Sequence, residues 1–413
     1  MADTEGDLGL VAAALRRRGL AELFTGKNEA AEASITASFE AYASVGDEIG
    51  TAWARQNLAW IAFSDGRMAE AQERLLAASE AFERAGDLAG RGWTTGLLAY
   101  VRIFEGRFTE ADELARRALL DAREQGDRWG QGMMNVALGM SALWTGRIDD
   151  ALGHTESAVA NFPEGADTIG VVQALATRGR ALVRRGRLDL GFHLLTIAID
   201  DHQVGPPNEM LRTALAAAAV TVGDPERAET QLAGFIEHDH DVLGASERRV
   251  VAGLARLQNG DVDGALELLD HLPGIDDDHA SPWGWAITAL ARAAAQIPNE
   301  HLVDAVETSA RSTYSDRALA RIAIGAAAVR NRDTAGAAVA LERARTAVPG
   351  GGDQVFPVIV AVAGAVFAEV LDADDAPQRR AEADSMLARI GVTESGWWTA
   401  LYAAVGATPA VTA

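Results

Sequence analysis

Two short clusters of histidine and carboxylate residues are the first places to look for chemistry in this sequence. Residues 238–241 read His-Asp-His-Asp, and residues 276–279 read Asp-Asp-Asp-His. Imidazole and carboxylate groups bind metals, but a closed site needs several of them converging from fixed elements. Both clusters fall between predicted helices, so solvated loops are favoured over metal sites at His238–Asp241 and at Asp276–His279.

The rest of the sequence contains no complete motif of a common enzyme class. Gly26-Lys27-Asn28 is similar to the end of a phosphate-binding loop, but Ala21 stands where an earlier glycine is needed, and neither Ser nor Thr follows the lysine. The chain has no cysteine, which excludes disulfides, thiol nucleophiles and thiolate metal sites. No metalloprotease, nucleophile-elbow or dinucleotide-binding fingerprint occurs. We therefore expect neither catalysis nor a cofactor.

The charge of the chain limits its partners. With 59 acidic and 37 basic residues, the formal net charge is −22. Such a charge repels phosphate backbones and anionic lipid surfaces, so direct binding to nucleic acid or to membranes is not expected. The acidic start, MADTEGD, lacks the basic residues and apolar run of a signal peptide, and we expect a cytoplasmic protein.

Glycine and aspartate recur with a period of 40 residues and define the elements of the chain. A turn glycine stands at Gly26, Gly66, Gly106, Gly146 and Gly186, and an aspartate recurs at Asp7, Asp47, Asp87, Asp127 and Asp167. A Gly-Asp pair predicts a left-handed glycine that ends one helix, followed by an N-cap that starts the next. One unit is therefore predicted to be a helix over 47–65, a tight turn and a second helix over 68–85.

Small residues flank each turn glycine. Ala59 lies seven residues before Gly66 and Ala71 five residues after it, and the other units repeat this pattern with alanine or glycine. Two helices that pack closely need small side chains where they face each other, so the pattern predicts a helical hairpin in each unit.

These landmarks resemble the tetratricopeptide repeat, which places small residues around a turn in the same way. The period of 40 is longer than that family's usual repeat of about 34 residues. The long form resembles the MalT-like helical regions of bacterial, especially actinobacterial, ATPase, cyclase and transcription regulators. The resemblance implies an all-α, right-handed superhelical solenoid that binds proteins or peptides.

We predict about ten helix pairs and one capping helix. Residues 1–204 hold the regular repeats, 205–405 hold divergent repeats and a last helix near 394–404 that caps the open end, and 406–413 form a disordered tail. Pro349 to Asp353, with three consecutive glycines, is expected to be the most flexible link. The Gly6-Asp7 pair has the junction signature although no helix precedes it; a coincidental glycine and a chain cut from a longer array both remain open.

An aromatic stripe follows the first helices of the units. Positions thirteen, six and two residues before the turn glycine share one helix face. They hold, among others, the residues Trp53, Trp60, Trp93, Tyr100, Phe104, Met140 and Trp144. Aromatic side chains offer a large contact area at a small entropic cost, so an open concave groove for a ligand is one interpretation. A tight superhelix whose inner faces pack on each other is the other.

A cluster of arginines continues the stripe. Arg180 and Arg184 lie on the same face, and Arg178, Arg185 and Arg187 are near them. They could receive an acidic or phosphorylated segment of a partner, or they could pair with nearby Asp149, Asp150 and Asp189. A clamp for a peptide's terminal carboxylate is not supported, because Gln56 and Gly96 occupy its positions beside Trp60 and Tyr100.

The sequence thus favours a non-catalytic scaffold with a protein or peptide partner. A second interpretation is the detached sensor arm of a multidomain ATPase, adenylate cyclase or MalT-like transcription regulator, with a small-molecule effector. The oligomeric state and the partner's identity do not follow from the sequence.

Overall fold

The computed structural model describes residues 2–162, 169–203, 205–236, 242–275 and 281–408. No β-strand occurs in these ranges. The described residues form twenty-one α-helices: α1 Ala2–Phe24, α2 Asn28–Ser44, α3 Glu48–Ser64, α4 Met68–Ala85, α5 Leu88–Phe104, α6 Phe108–Glu124, α7 Arg128–Trp144, α8 Ile148–Asn161, α9 Ile169–Arg184, α10 Leu188–Asp201, α11 Pro206–Val222, α12 Pro225–Leu232, α13 Val242–Gln258, α14 Val262–Leu269, α15 Pro282–Ala294, α16 Glu300–Thr308, α17 Tyr314–Arg330, α18 Thr334–Ala347, α19 Phe356–Val370, α20 Ala376–Arg389 and α21 Gly396–Ala404.

Consecutive helices pack as hairpins. Each odd-numbered helix from α1 to α19 packs on the helix that follows it, which gives ten pairs and leaves α21 unpaired. The odd-numbered helices also contact one another along the array, so they form its inner layer. The predicted fold class, an all-α solenoid of the tetratricopeptide-like type with about ten helix pairs and a terminal helix, is confirmed.

The Gly-Asp junctions have the predicted geometry. Asp47, Asp87 and Asp127 accept hydrogen bonds from the backbone N–H groups three residues later, at 2.8, 3.0 and 2.9 Å. The glycines that precede them have φ values of 72, 68 and 69°, in the left-handed region. The donor of the first bond is a glycine because a Cβ atom at Gly50 would collide with the ring of Tyr42.

The first junction is an exception. Helix α1 begins at Ala2 and continues through Gly6 and Asp7, so Asp7 is not the N-cap that the junction signature predicts. The four residues before Gly6 form the first turn of the same helix. Asp167, the fifth aspartate of the series, lies outside the described residues.

The small residues hold the two helices of a hairpin together, as predicted. Ala59 and Ala71 are both fully buried. In the fifth hairpin, a Cβ atom on Gly191 would lie 2.8 Å from the carbonyl oxygen of Gly179. Larger side chains at these positions would separate the helices.

Successive turns of the superhelix contact each other. The hairpin turns at Gly106, Gly146, Gly186 and Gly223 lie against the connections that precede α17, α19 or α21. Backbone hydrogen bonds join these successive turns of the superhelix: Ile148 N–H to Gly351 O at 3.0 Å, Gln354 N–H to Arg184 O at 2.7 Å and Gly396 N–H to Gly223 O at 2.8 Å. We call this line of contacts the seam.

The seam changes the expectation for Pro349 to Asp353. This segment is not a free link, because Gly351 accepts the hydrogen bond from Ile148 and the side chain of Asp353 has no exposed surface. The glycines allow the segment to pass close to the turn at Gly146, where a Cβ atom on Gly351 would collide with the carbonyl oxygen of Gly146.

Helix α21 follows the last pair and packs on its inner helix, α19, and also on the inner-layer helices α13, α15 and α17. Ser395 Oγ donates to Val222 O at 3.0 Å, and Trp397 Nε1 donates to Thr221 O at 3.0 Å, so its start is attached to the end of α11. The helix therefore covers part of the inner side of the array, and its role as a cap of the open end stays a prediction.

Two further expectations concern the whole chain. The division at residue 204 stays a prediction, although one buried apolar cluster extends from Val172 to Val405 across it. Of the predicted tail, residues 409–413 lie outside the described residues. Within the described ranges, no helix combines the length and the hydropathy needed to span a bilayer.

A pair of glycine substitutions tests the seam. Gly106 and Gly126 both have positive φ, but a Cβ atom at Gly106 would collide with the backbone of Ala310, whereas one at Gly126 meets nothing within 4 Å. We expect Gly126→Ala to lower the free energy of unfolding by about 1–2 kcal/mol through backbone strain alone. Gly106→Ala should lower the free energy of unfolding by about 2 kcal/mol more, because the turn at Gly106 must move away from the backbone of Ala310. Equal losses in denaturant unfolding would contradict the seam.

Candidate ligand-binding cavity

A row of tryptophans on the inner layer forms one wall of a cavity. Trp60 on α3, Trp93 on α5 and Trp129 on α7 follow one another across three hairpins. The ring centroids of Trp60 and Trp93 are 6.4 Å apart, and those of Trp93 and Trp129 are 4.6 Å apart with an interplanar angle of 18°. All three rings are half-buried, so they stack on each other and keep a surface for another molecule.

A second row runs beside the first. Phe104 contacts Phe63 edge-on at 5.2 Å and Trp144 at 5.4 Å. Tyr100 is buried below them, and its hydroxyl donates to Met133 O at 3.1 Å. Burial raises the pKa of Tyr100 far above its usual range, so the phenol stays neutral. Aromatic pairs of this kind contribute roughly 0.5–1.5 kcal/mol each beyond their buried area. The wall is therefore rigid.

The two rows form part of the lining of a cavity of about 1130 Å³ on the inner side of the array. Eight of the nine predicted site residues line it: Trp60, Trp93, Tyr100, Phe104, Met140, Trp144, Arg180 and Arg184. The lining comes from both halves of the array, since it also includes Met210, Trp283 and Phe356. Helix α21 covers part of the inner layer of the second half.

Trp53 is the predicted site residue that does not line the cavity. Its Nε1 donates to Asp87 Oδ2 at 3.2 Å, and its ring meets Phe82 edge-on at 5.0 Å. Trp53 therefore packs between the second and third hairpins. Trp93, at the equivalent position of the next unit, does line the cavity.

Sequence reasoning missed other lining residues. Trp129 lies seventeen residues before Gly146, one helical turn beyond the stripe, and this spacing could have revealed it. Trp283 and Met210 come from the divergent half, where no fixed period indicates the inner face. Only the path of the superhelix brings them to the cavity.

The charges of the lining are balanced. It contains four arginines and four carboxylates: Arg180, Arg184, Arg248 and Arg311, and Asp127, Glu209, Glu247 and Asp316. Arg180 Nη1 lies 2.7 Å from Glu247 Oε1. The cavity thus differs from the remainder of a chain whose net charge is −22.

Arg184 is held by the seam. Its Nη2 lies 2.7 Å from Asp353 Oδ2, and both residues hydrogen-bond to the hydroxyl of Tyr314. The guanidinium also lies over the ring of Phe356, 4.3 Å from its centroid. Burial lowers the pKa of Arg184, but the charge of Asp353 and the interactions with Tyr314 together outweigh that effect, and the net shift is upward.

The arginine cluster therefore has acidic partners within the chain. Arg185 Nε pairs with Asp149 Oδ1 at 2.7 Å, as one of the sequence alternatives expected. The partners of Arg180 and Arg184, by contrast, are Glu247 and Asp353, far along the chain. Binding of an acidic partner by Arg180 and Arg184 stays a prediction. Such a partner would compete with the carboxylates of Glu247 and Asp353 for the two guanidinium groups.

Metal sites are not found in the part of the chain that the structure describes. No group of three or more histidine, aspartate or glutamate residues there could hold an ion. The two clusters considered from the sequence, His238–Asp241 and Asp276–His279, lie outside the described residues.

No family model matches the chain, and no curated protein matches it. Among solved structures, the chain is similar to one entitled "Crystal structure of APC/C hetero-tetramer Cut9-Hcn1". That match has a TM-score of 0.44 and 11% identity, and it covers 95% of this chain and 89% of the other. The architecture described above therefore rests on the helices themselves.

Removal of Asp353 tests the ion pair at the seam. Asp353→Ala leaves the Arg184 guanidinium without its partner, and we expect the free energy of unfolding to fall by about 3–5 kcal/mol. Asp149→Ala is the matched control, because its pair with Arg185 is largely exposed and should be worth less than about 1 kcal/mol. Denaturant unfolding of both variants is the measurement. A loss at Asp353 no larger than the loss at Asp149 would contradict the assignment.

Asp316 makes stability depend on pH. Burial raises its pKa to about 6, although the backbone N–H and the hydroxyl of Thr313 act in the opposite direction. Because the folded state binds this proton more tightly than the unfolded state does, the contribution of Asp316 to stability falls as pH rises from about 4 to about 6. The free energy of unfolding of Asp316→Asn relative to the wild type should therefore rise by up to about 3 kcal/mol between pH 4 and pH 7. A difference that is constant with pH in denaturant unfolding would contradict this.

Proposed function

We propose that this protein is a non-catalytic helical-repeat scaffold that holds a segment of a partner protein in the cavity. The observation that carries the proposal is the half-buried aromatic wall of Trp60, Trp93, Trp129 and Trp144 facing a cavity of about 1130 Å³. Apolar surface of this size is costly to leave in water, and a monomeric protein seldom keeps it without a binding role.

The rigidity of the wall supports this role. The tryptophans are fixed against one another by stacking and edge-to-face contacts, so a ligand would bind without having to order them. Binding sites gain affinity when their anchors are preorganised, and large aromatic side chains are frequent anchors. The cytoplasmic setting expected from the sequence is part of this proposal.

A second candidate is the binding of a small-molecule effector, as in the sensor arm of a larger regulator. One observation favours it: residues beside the seam, such as Arg311 and Phe356, also line the cavity, so it has walls from two turns of the superhelix, and pockets for small molecules are enclosed and mostly apolar. The cavity is somewhat larger than the usual range for such ligands of about 300–1,000 Å³. A peptide segment therefore fits it better.

Photo-crosslinking from within the cavity tests the two candidates. Replacement of Trp144 by p-benzoylphenylalanine puts a photoreactive aromatic group in the lining, and the same replacement of Trp398, which contacts Arg380 and does not line the cavity, is the matched control. We expect irradiated cells to yield a covalent protein adduct at Trp144 and not at Trp398.

Mass spectrometry reads the result. A small mass increase at position 144 without a protein adduct would favour the effector. Identical adducts at positions 144 and 398 would contradict a role for the cavity.

A further inference from the structure

Three buried polar atoms of the cavity lining have no hydrogen-bond partner. They are Nε2 of Gln56, Oε1 of Gln173 and Nε of Arg180. A buried polar group without a partner costs free energy, so such groups are rare unless something else satisfies them. The three atoms include two donors and one acceptor.

The orientation of Gln56 follows from its neighbours. Arg16 Nη1 donates to Asn57 Oδ1 at 3.5 Å, and Asn57 Nδ2 donates to Gln56 Oε1 at 2.7 Å. This chain of bonds uses the acceptor of Gln56 and leaves its Nε2 donor free. Only 1% of the residue is exposed, so bulk water does not satisfy that donor.

The charge of the lining argues against an acidic ligand. The four arginines are matched by four carboxylates, Arg180 is paired with Glu247, and Arg184 is paired with Asp353 in the seam. An anionic ligand would have to displace one of these carboxylates or enter without a countercharge, and either costs free energy. An uncharged ligand meets no such penalty.

Helix α21 shows what another inner surface of this protein accepts. The segment Gly396–Ala404, with sequence GWWTALYAA, has no charged residue and lies on the inner-layer helices α13 to α19. Trp397 and Tyr402 are almost fully buried there. Its start is held through the Gly396 N–H and the Ser395 hydroxyl, which donate to Gly223 O and Val222 O.

We infer that the cavity binds an uncharged, aromatic-rich peptide segment, not an acidic one. Its apolar side chains lie against the tryptophan wall. Once the side chains of Gln56, Gln173 and Arg180 turn toward the cavity, its backbone carbonyls accept from Gln56 Nε2 and Arg180 Nε, and a backbone N–H donates to Gln173 Oε1. An amide backbone supplies both donors and acceptors, which a carboxylate does not. This inference rests on the proposed function and names the chemistry of the partner.

A peptide-display selection on the full chain tests it, with a random library as the probe. Gly92→Trp is the blocked variant, because Gly92 lines the cavity and a Cβ atom there meets nothing within 4 Å. Gly153→Trp is the matched control, since Gly153 also has open space but does not line the cavity. We expect selected peptides to be uncharged and rich in Trp, Tyr, Phe and Leu. Their binding should be lost on Gly92→Trp and retained on Gly153→Trp.

The other outcomes separate the two proposals. Enrichment of Asp- or Glu-rich peptides that bind the wild type and not Gly92→Trp would overturn the inference and leave the proposed function standing. Peptides that bind the wild type and Gly92→Trp equally, or no enrichment at all, would overturn both.

A second measurement addresses the unpartnered groups. Gln56→Leu and Gln173→Leu should each weaken binding of the best selected peptide about tenfold, the equivalent of one hydrogen bond. The melting temperature of free Gln173→Leu should be unchanged or higher, because a buried polar atom without a partner has been removed. Gln56→Leu also removes the acceptor of Asn57 Nδ2, so its melting temperature should fall. Gln125→Leu, at an exposed glutamine that also lines the cavity, should have little effect. Equal effects at all three positions would overturn the roles of Gln56 and Gln173.

Discussion

Arg184 and Asp353 come from different turns of the superhelix, and the contact between those turns determines most of what is distinctive in this molecule. The fully buried carboxylate of Asp353 accepts from Arg184, from Tyr314 and from the backbone N–H groups of Val355 and Phe356. A carboxylate without solvent is tolerated only where so many donors surround it. The seam therefore fixes the curvature of the array, and with it the width of the hollow that the aromatic wall faces.

The same curvature has opposite results in the two halves. In the first half the inner helices carry large aromatic rings that stack on their neighbours and leave a cavity. In the second half the inner layer is covered by α21, whose Trp397 is 2% exposed. Helix α11 borders both features, because Met210 and Thr213 line the cavity and the carbonyl groups at its other end hold the start of α21. Trp283 and Phe356 of the second half also line the cavity, so the inner surface is filled in part from within the chain and elsewhere has room for a ligand.

The sequence predicts those parts of the fold that depend on neighbours in the chain. The Asp87 cap, the left-handed Gly86 before it and the small Ala59 and Ala71 act within one or two helices, so their spacing reveals them. The seam depends on the pitch of the superhelix, a small angle summed over many hairpins, and no local pattern encodes it. For this reason the sequence predicted a flexible link at Asp353, and it did not reveal the contacts of α21 with the inner layer. The candidate site was predicted in part. The helical spacing of the stripe correctly selects Trp60, Trp93 and Trp144 as lining residues. It also selects Trp53, which does not line the cavity, and it omits Trp129, one helical turn away.

Solenoids usually gain or lose repeats with little consequence, because each unit touches only its neighbours. Here the turn at Gly106 lies against the backbone at Ala310, and the turn at Gly146 lies against Pro349, about five hairpins further along the chain. Deletion of a single hairpin between these points would place every later connection opposite the wrong turn, and Arg184 opposite something other than Asp353. The number of hairpins between two paired turns is therefore as fixed as the number of strands in a closed barrel.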